Sequence, residues 1–144
     1  MIVDNPDKSK LVLEKTHLFA NIENSLAEIH FTTEYKNSSD HPIELLYQFP
    51  TDQRFTVTRV KAVIDEREIL TKIMEKEEAK ETYSDAVASG NTAVKVSFDE
   101  EVADILNINI GQLQPQKSAV ITVELISLLS SSYTKESMKG FYSF

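Results

Sequence analysis

The most informative features of this sequence are the residue types that it lacks. Cysteine is absent from all 144 residues, which excludes disulfides, thiolate metal sites and thiol nucleophiles. Glycine occurs only 3 times, always isolated, so no glycine-rich phosphate loop can form. No apolar run approaches the roughly 20 residues of a transmembrane helix, and the first residues lack the apolar segment of a signal peptide. These absences favour a cytoplasmic protein, with an extracellular location as the alternative.

Basic residues are also sparse. Lys and Arg number 15 against 23 Asp and Glu, which gives a formal net charge of -8, and no run of Lys or Arg occurs. Phosphate backbones and anionic lipids require clustered positive charge, so we predict neither a nucleic-acid partner nor a membrane partner. A basic protein surface would suit this chain better. A length of 144 residues with 41% apolar residues is typical of one globular domain.

The sequence contains no recognisable catalytic or metal-binding set. His17, His30 and His41 have no partner at the spacing of a closed metal motif. The acidic run at 98–104 lacks the glycine and the Asp-x-Asp-x-Asp-Gly pattern of a calcium loop, and no G-x-S-x-G elbow is present. We therefore predict no catalytic residue, no metal ligand and no cofactor, and hence no enzyme. Asn37 begins a formal glycosylation sequon, Asn-Ser-Ser, whose use would require a secretory signal.

A period-two alternation of apolar and polar residues runs through most of the chain and predicts antiparallel β-strands. The predicted inward-facing residues are Ala27, Ile29, Phe31, Thr33 and Tyr35, then Ile43, Leu45, Tyr47 and Phe49, then Val94, Val96 and Phe98, then Leu106, Ile108 and Ile110, and finally Ala119, Ile121, Val123 and Leu125. Residues 11–22 are apolar but ambiguous in phase, and we predict a strand there. A phase slip between Val57 and Val60 predicts a bulge, and Asp65-Glu66 predicts a tight hairpin turn.

One segment, about residues 75–89, has helical rather than strand periodicity. Its apolar stripe consists of Ala79, Tyr83, Ala86 and Val87, and Gly90 stands where a left-handed C-terminal cap is expected. A helix of this length needs tertiary support, so we expect the stripe to pack on a sheet. The acidic residues Glu77, Glu81 and Asp85 face away from the stripe. They form either a possible partner surface or simply the solvated face that keeps the helix soluble.

These patterns define the expected architecture. Many short strands with one helix predict a mainly β fold, an antiparallel β-sandwich with the helix packed on a sheet. Residues 1–10 are interpreted as a polar lead-in and residues 11–144 as a single domain. Within that domain the polar stretch 130–140 is predicted to be a loop, and residues 141–144 the start of a final strand.

Four blocks of sequence, in a fixed order, are similar to those of a known family. The matching positions are Tyr35, Asn37, Pro42, Ile43, Glu44, Tyr47, Phe49 and Pro50 in the first block, Lys76, Glu77, Ala79, Tyr83, Ala86, Gly90 and Ala93 in the second, Asp104, Gly111, Leu113 and Pro115 in the third, and the stub GFYSF in the fourth. In this combination the chain resembles the VIT domain, the vault protein inter-α-trypsin domain. It departs from the family pattern at Asp65-Glu66, which replaces a hairpin glycine, and at Ala103, Leu106 and Leu125.

The resemblance implies a fold and a function. The fold is a β-sandwich carrying one helix, in agreement with the periodicity. The function is that of a non-catalytic protein–protein interaction or scaffolding module, and the chain would be a fragment of a longer protein in which a von Willebrand factor A domain follows. Two alternatives remain open at this point. One is a secreted carrier domain like those of the inter-α-trypsin heavy chains, and the other is an accessory domain of a vault-associated ADP-ribosyltransferase.

Overall fold

A computed structural model describes residues 2–4, 10–71, 93–98, 104–133 and 140–143. Every regular element in these ranges is a β-strand, which confirms the mainly β prediction. The strands are β1 (Ile2–Asp4), β2 (Leu11–Glu23), β3 (Leu26–Asn37), β4 (Ile43–Pro50), β5 (Phe55–Ile64), β6 (Arg67–Thr71), β7 (Ala93–Phe98), β8 (Ile105–Leu113), β9 (Ser118–Leu128), β10 (Ser130–Tyr133) and β11 (Gly140–Ser143). The predicted helix at 75–89 lies outside the described residues.

The strands form three antiparallel sheets. The larger one has 5 strands in the order β2-β3-β9-β5-β6, and a second has 4 strands in the order β1-β4-β8-β7. The strands β10 and β11 pair with each other as a two-stranded sheet. In the five-stranded sheet, β2 and β6 occupy the two edges.

Both larger sheets contribute to a single hydrophobic core. Along β3 and β9 the buried side chains alternate with exposed or half-buried ones, as the period-two pattern predicted. The same cluster contains Leu106, Ile108 and Ile110 of β8 in the other sheet. Tyr35 of β3 and Tyr47 of β4 meet edge to face, with ring centroids 6.0 Å apart. Side chains from the two sheets therefore meet at this point.

The irregular positions mostly agree with the sequence prediction. The register of β5 against β9 shifts between Val57 and Arg59, so Thr58 is the extra residue of the predicted bulge. Asp65 and Glu66 both have positive φ, at 50° and 64°, and connect β5 to β6 as the expected tight turn.

Two segments differ from their predicted structure. The prediction of a loop over 130–140 is wrong at both ends, because Ser130–Tyr133 forms β10 and Gly140 begins β11, which pairs with β10. Serine-rich sequence has little strand propensity of its own, and here pairing with a later segment determines the conformation. Ile2–Asp4, inside the interpreted lead-in, pairs with β4 through Leu46, Tyr47 and Gln48.

Candidate interaction surface

Strand β2 extends the five-stranded sheet beyond its core. Every residue of β2 after Leu11 is exposed. Cross-strand partners share a face of the sheet, so Leu18 and Ala20, which pair with Phe31 and Ile29, lie on the same face as the core. Leu18 is nevertheless 63% exposed. The inner, apolar face of this sheet therefore continues past the region that the other described strands cover.

An apolar groove lies on this uncovered face. It has a volume of about 250 Å³ and is lined by Leu18, Ala20, Ile29, Phe31, Phe49, Pro50, Thr51, Phe55 and Leu125. Phe31 and Phe49, from different sheets, form its aromatic wall with ring centroids 5.6 Å apart. Phe49 also stacks on the buried Tyr47 at 6.5 Å, which anchors the wall to the core. The groove can accept an apolar side chain, and its lining offers little to a polar ligand.

The loop after β4 carries a charged pair between two residues that line the groove, Thr51 and Phe55. Proline ends β4 at Pro50, and the Thr51 amide then donates to the Asp104 carbonyl at 2.7 Å. Asp52 accepts a hydrogen bond from the Arg54 amide at 2.8 Å and pairs with the Arg54 guanidinium at 2.7 Å. The hydrogen bonds from Arg54 lower the pKa of Asp52 to about 2. The guanidinium carbon lies 6.0 Å from the centroid of the Phe55 ring.

A second cavity lies on the opposite, polar face of the same sheet. It has a volume of about 270 Å³ and is lined by Lys15, His17, Thr32, Glu34 and Val120. It places one imidazole near one carboxylate and one ammonium group, which is less than a metal site requires. Among the described residues there is no group of three His, Cys, Asp or Glu side chains that could hold a metal ion.

Asn37 is the most extensively bonded side chain of the predicted set. It is fully buried, and its Nδ2 donates to the carbonyls of Leu113 at 2.8 Å and His41 at 3.0 Å. Its Oδ1 accepts from the amide of Ser39 at 2.9 Å and from the Ser39 hydroxyl at 2.6 Å. The amide nitrogen that a glycan would modify is thus buried and occupied, so glycosylation at this sequon is incompatible with this fold.

Tyr35 and Tyr47 carry buried hydroxyl groups in the core. Burial, followed by the proximity of Tyr47, raises the pKa of Tyr35 to about 12. Burial likewise raises the pKa of Tyr47, against a smaller opposite effect of the Thr33 hydroxyl. Among the described residues neither the Tyr47 hydroxyl nor the Thr33 hydroxyl has a hydrogen-bond partner of good geometry. These two groups are therefore desolvated without full compensation.

The remaining predicted residues divide between the core, the surface and the segment that is not described. Ala93 and Gly111 are buried, Phe49 and Pro115 are half-buried, and Glu44 and Pro50 are exposed. Outside the described residues lie the predicted helix positions Lys76, Ala79, Tyr83, Ala86 and Gly90 and the acidic residues Glu77, Glu81 and Asp85. The structure brings Tyr35, Tyr47 and Phe49 together in one aromatic cluster.

Sequence reasoning did not identify the groove. Its lining comes from β2, β3, β4, β5 and β9, which only the sheet order brings together. One signal was available in the sequence. Residues 11–22 change phase at Glu14, where the register against β3 shifts. The inward-facing set passes there from odd-numbered to even-numbered positions, and this interrupts the alternation.

The fold and surface define a class of protein, an antiparallel β domain with an apolar groove at a sheet edge. Comparison with known proteins then identifies the family. A model of the vault protein inter-alpha-trypsin domain matches residues 13–125, and the chain therefore belongs to the VIT family. The first resemblance block, Asn37 and the Tyr35–Tyr47–Phe49 cluster all fall inside the matched region.

Its relatives are much longer proteins. The chain is 27% identical over 123 residues to the rat von Willebrand factor A domain-containing protein 5A, which covers 85% of this chain and 15% of that protein. It is 34% identical over 118 residues to the human protein mono-ADP-ribosyltransferase PARP4, covering 82% of this chain and 7% of that protein. A von Willebrand factor A domain-containing protein of Dictyostelium discoideum is 29% identical over 119 residues, covering 83% of this chain and 12% of that protein. A helix capable of spanning a membrane is not found among the described residues.

Proposed function

We propose that this chain is a non-catalytic protein–protein interaction module, a VIT domain that contacts a neighbouring von Willebrand factor A domain of a longer polypeptide in the cytoplasm. The apolar groove beside β2 carries this proposal. Contiguous exposed apolar surface is costly in water, and in natural proteins it marks a site of contact. The relatives support a neighbour as the partner, because two of those compared are themselves named for a von Willebrand factor A domain.

The proposal includes a more specific architecture. The two larger sheets would form a β-sandwich, which the shared core and the 6.0 Å contact between Tyr35 and Tyr47 support. The helix at 75–89 would connect β6 to β7 and pack its stripe of Ala79, Tyr83, Ala86 and Val87 against the sandwich. Its acidic residues Glu77, Glu81 and Asp85 would then face solvent.

The partner would insert an apolar or aromatic side chain into the groove. The walls supplied by Phe31, Phe49 and Leu18 are complementary to such a group, and interfaces are commonly anchored by one aromatic residue in a pocket. The pair of Asp52 and Arg54 in the loop after β4 would add charged contacts around this anchor.

A binding titration tests this function. The region that follows the chain in its full-length polypeptide, prepared separately, is titrated into the wild-type chain and into Leu18→Glu. We expect the glutamate to weaken binding at least roughly tenfold, because it places a charge in an apolar groove. Val12→Glu is the matched control, since Val12 is 44% exposed on the opposite face of the same strand and does not line the groove. Equal binding by Leu18→Glu and wild type would contradict the proposal.

A second candidate function is favoured by one observation. The 34% identity to a mono-ADP-ribosyltransferase supports an accessory domain in an enzyme of that class, with the chemistry outside this chain. The domains that accompany the chain in its full-length product distinguish the two. A catalytic ADP-ribosyltransferase region would support the second candidate, and a von Willebrand factor A domain without one would support the first.

A further inference from the structure

Strand β2 has a second property, which concerns its backbone. It is the edge of its sheet, so one side of its backbone has no strand paired to it within the described residues. Edge strands normally carry devices that prevent pairing, such as bulges, prolines or inward-pointing charges. The register of β2 against β3 shifts between Leu13 and Lys15, which makes Glu14 a bulge residue. From Lys15 to Glu23 the pairing with β3 is regular, without proline or glycine.

We propose that residues 15–23 of β2 form an antiparallel seam with the same residues of a second copy of this chain. Phe19 would lie on the twofold axis of the resulting dimer. The two five-stranded sheets would then join into one continuous sheet across the seam.

Symmetry leaves few possible registers for this pairing. Two antiparallel neighbours in one sheet are related by a twofold axis perpendicular to the sheet, and this axis keeps each side chain on its own face. Directly opposed residues also share a face, so the numbers of the two residues in each opposed pair differ by an even number. In every possible register, one residue therefore lies on the axis opposite its own copy. The registers differ only in which residue this is. Phe19 is the midpoint of residues 15–23. Only the register centred on Phe19 pairs the whole regular stretch, and every other centre leaves residues at both ends unpaired.

This register is also complementary in charge. It places Lys15 opposite Glu23 of the second copy, and the symmetry produces this pair twice. Both side chains are exposed, and among the described residues neither forms an ion pair within its own chain. A centre at Leu18 would oppose Lys15 to Asn21, and a centre at Ala20 would oppose Glu23 to His17. The register centred on Phe19 is therefore favoured twice. It pairs opposite charges, and it pairs the whole of residues 15–23.

The remaining opposed pairs are compatible as well. On the inner face Leu18 would meet Ala20, and Thr16 would meet Ile22. On the outer face Phe19 would meet its copy. The seam would cover apolar side chains that the single chain leaves exposed, including Ile22 at 48%. Exposed apolar residues on both faces of one edge strand are thereby accounted for by one contact.

Charge reversal tests the register. Sedimentation velocity is measured over a wide range of protein concentration at physiological ionic strength, where the repulsion between two chains of net charge -8 is screened. We expect a reversible wild-type dimer. Lys15→Glu and Glu23→Lys would each convert both attractive pairs into like-charge pairs and weaken the dimer roughly fivefold or more. Mixing the two variants restores both attractive pairs, so the mixture would dimerise at least as well as wild type.

A cysteine crosslink tests the twofold axis. Because the chain has no cysteine, Phe19→Cys introduces a single thiol. Directly opposed strand residues lie within the Cα separation that a disulfide allows, and we expect rapid oxidation to a crosslinked dimer. Phe98→Cys is the control, an exposed phenylalanine on β7 at the edge of the other sheet. Circular dichroism verifies that each variant is folded.

Three results would overturn the proposal. They are a chain that stays monomeric into the millimolar range, a dimer insensitive to both charge reversals, and a dimer that Phe98→Cys crosslinks as fast as Phe19→Cys. Pairing of the β2 edge with a different segment of a longer polypeptide would appear as the first result. None of these results bears on binding in the groove, because Lys15, Phe19 and Glu23 do not line it.

Discussion

Asn37 illustrates at the scale of a residue how one buried amide joins separate segments. Its side chain connects the end of β3 to the 39–41 turn and to the last residue of β8, Leu113. Its backbone also pairs with the 116–117 turn, where the Asn37 amide donates to the Lys117 carbonyl at 2.9 Å. The sequence identified Asn37 as a family position, but its role depends on a carbonyl group 76 residues away, which no local pattern reveals.

We expect Asn37→Ala to destabilise the fold by about 2 to 4 kcal/mol. The substitution removes four side-chain hydrogen bonds and leaves the buried Leu113 carbonyl without its donor. Chemical denaturation measures the free energy of unfolding. Ser38→Ala, at the exposed neighbouring position, is the control and should change it by less than about 0.5 kcal/mol. An equally small effect of Asn37→Ala would show that these bonds do not stabilise the fold.

The two core tyrosines should make stability depend on alkaline pH. The folded pKa of Tyr35 is about 12 against an ordinary value of 10.0, so the fold favours the neutral phenol. Stability is complete below the unfolded pKa and falls as pH rises from 10.0 through about 12. We expect a loss of roughly 1 to 3 kcal/mol across this window from Tyr35.

Denaturation at a series of pH values checks this expectation, with tyrosinate absorbance reporting the ionisation. A variant carrying Tyr35→Phe and Tyr47→Phe should lose most of the decline. A decline of the same size in that variant would assign the effect to other groups.

At the scale of elements, the turn between β5 and β6 retains a local strain. Asp65 and Glu66 both adopt positive φ, a conformation that costs a residue with a Cβ roughly 1 kcal/mol and costs glycine little. The Lys117 ammonium pairs with the Asp65 carboxylate, which gives Asp65 a contact that glycine would lose. Glu66 has no ion pair in the described part of the chain.

Glu66→Gly should therefore stabilise the protein by about 0.5 to 1 kcal/mol, because the relief of strain exceeds the entropic cost of glycine. Thermal unfolding would record a higher Tm. The control is Glu44→Gly at an exposed strand position, where glycine should lower the Tm. A lower Tm for Glu66→Gly would mean that its positive φ carries no strain.

The strands differ in how far the sequence could predict them. Strands β3, β4, β8 and β9 have one buried and one exposed face, so their alternation is visible in the sequence. In strand β2 the register shift at Glu14 moves the inward-facing set by one residue, so the alternation is interrupted in the sequence. Strand β10 is serine-rich and depends on pairing with β11, which lies beyond residues 134–139.

At the scale of the whole molecule, the order of the strands in the sheets creates surfaces that the prediction of individual strands cannot show. The sequence predicted most strands in the described ranges, because burial of one face imposes a period of two on many of them. It did not predict that β2 would follow β3 at an edge or that β4 would end beside Phe31. The groove is a consequence of these long-range placements, as is the seam proposed for residues 15–23.

Hydrogen exchange in the proposed longer polypeptide tests the proposed interaction function most directly. The exchange rates of backbone amides in residues 49–56, a rim of the groove outside β2, are compared between the isolated chain and the full-length protein. The account predicts slower exchange of these amides in the full-length protein, and a return to the rates of the isolated chain when Leu18→Glu is introduced there. Identical rates in the isolated chain and the full-length protein would contradict it.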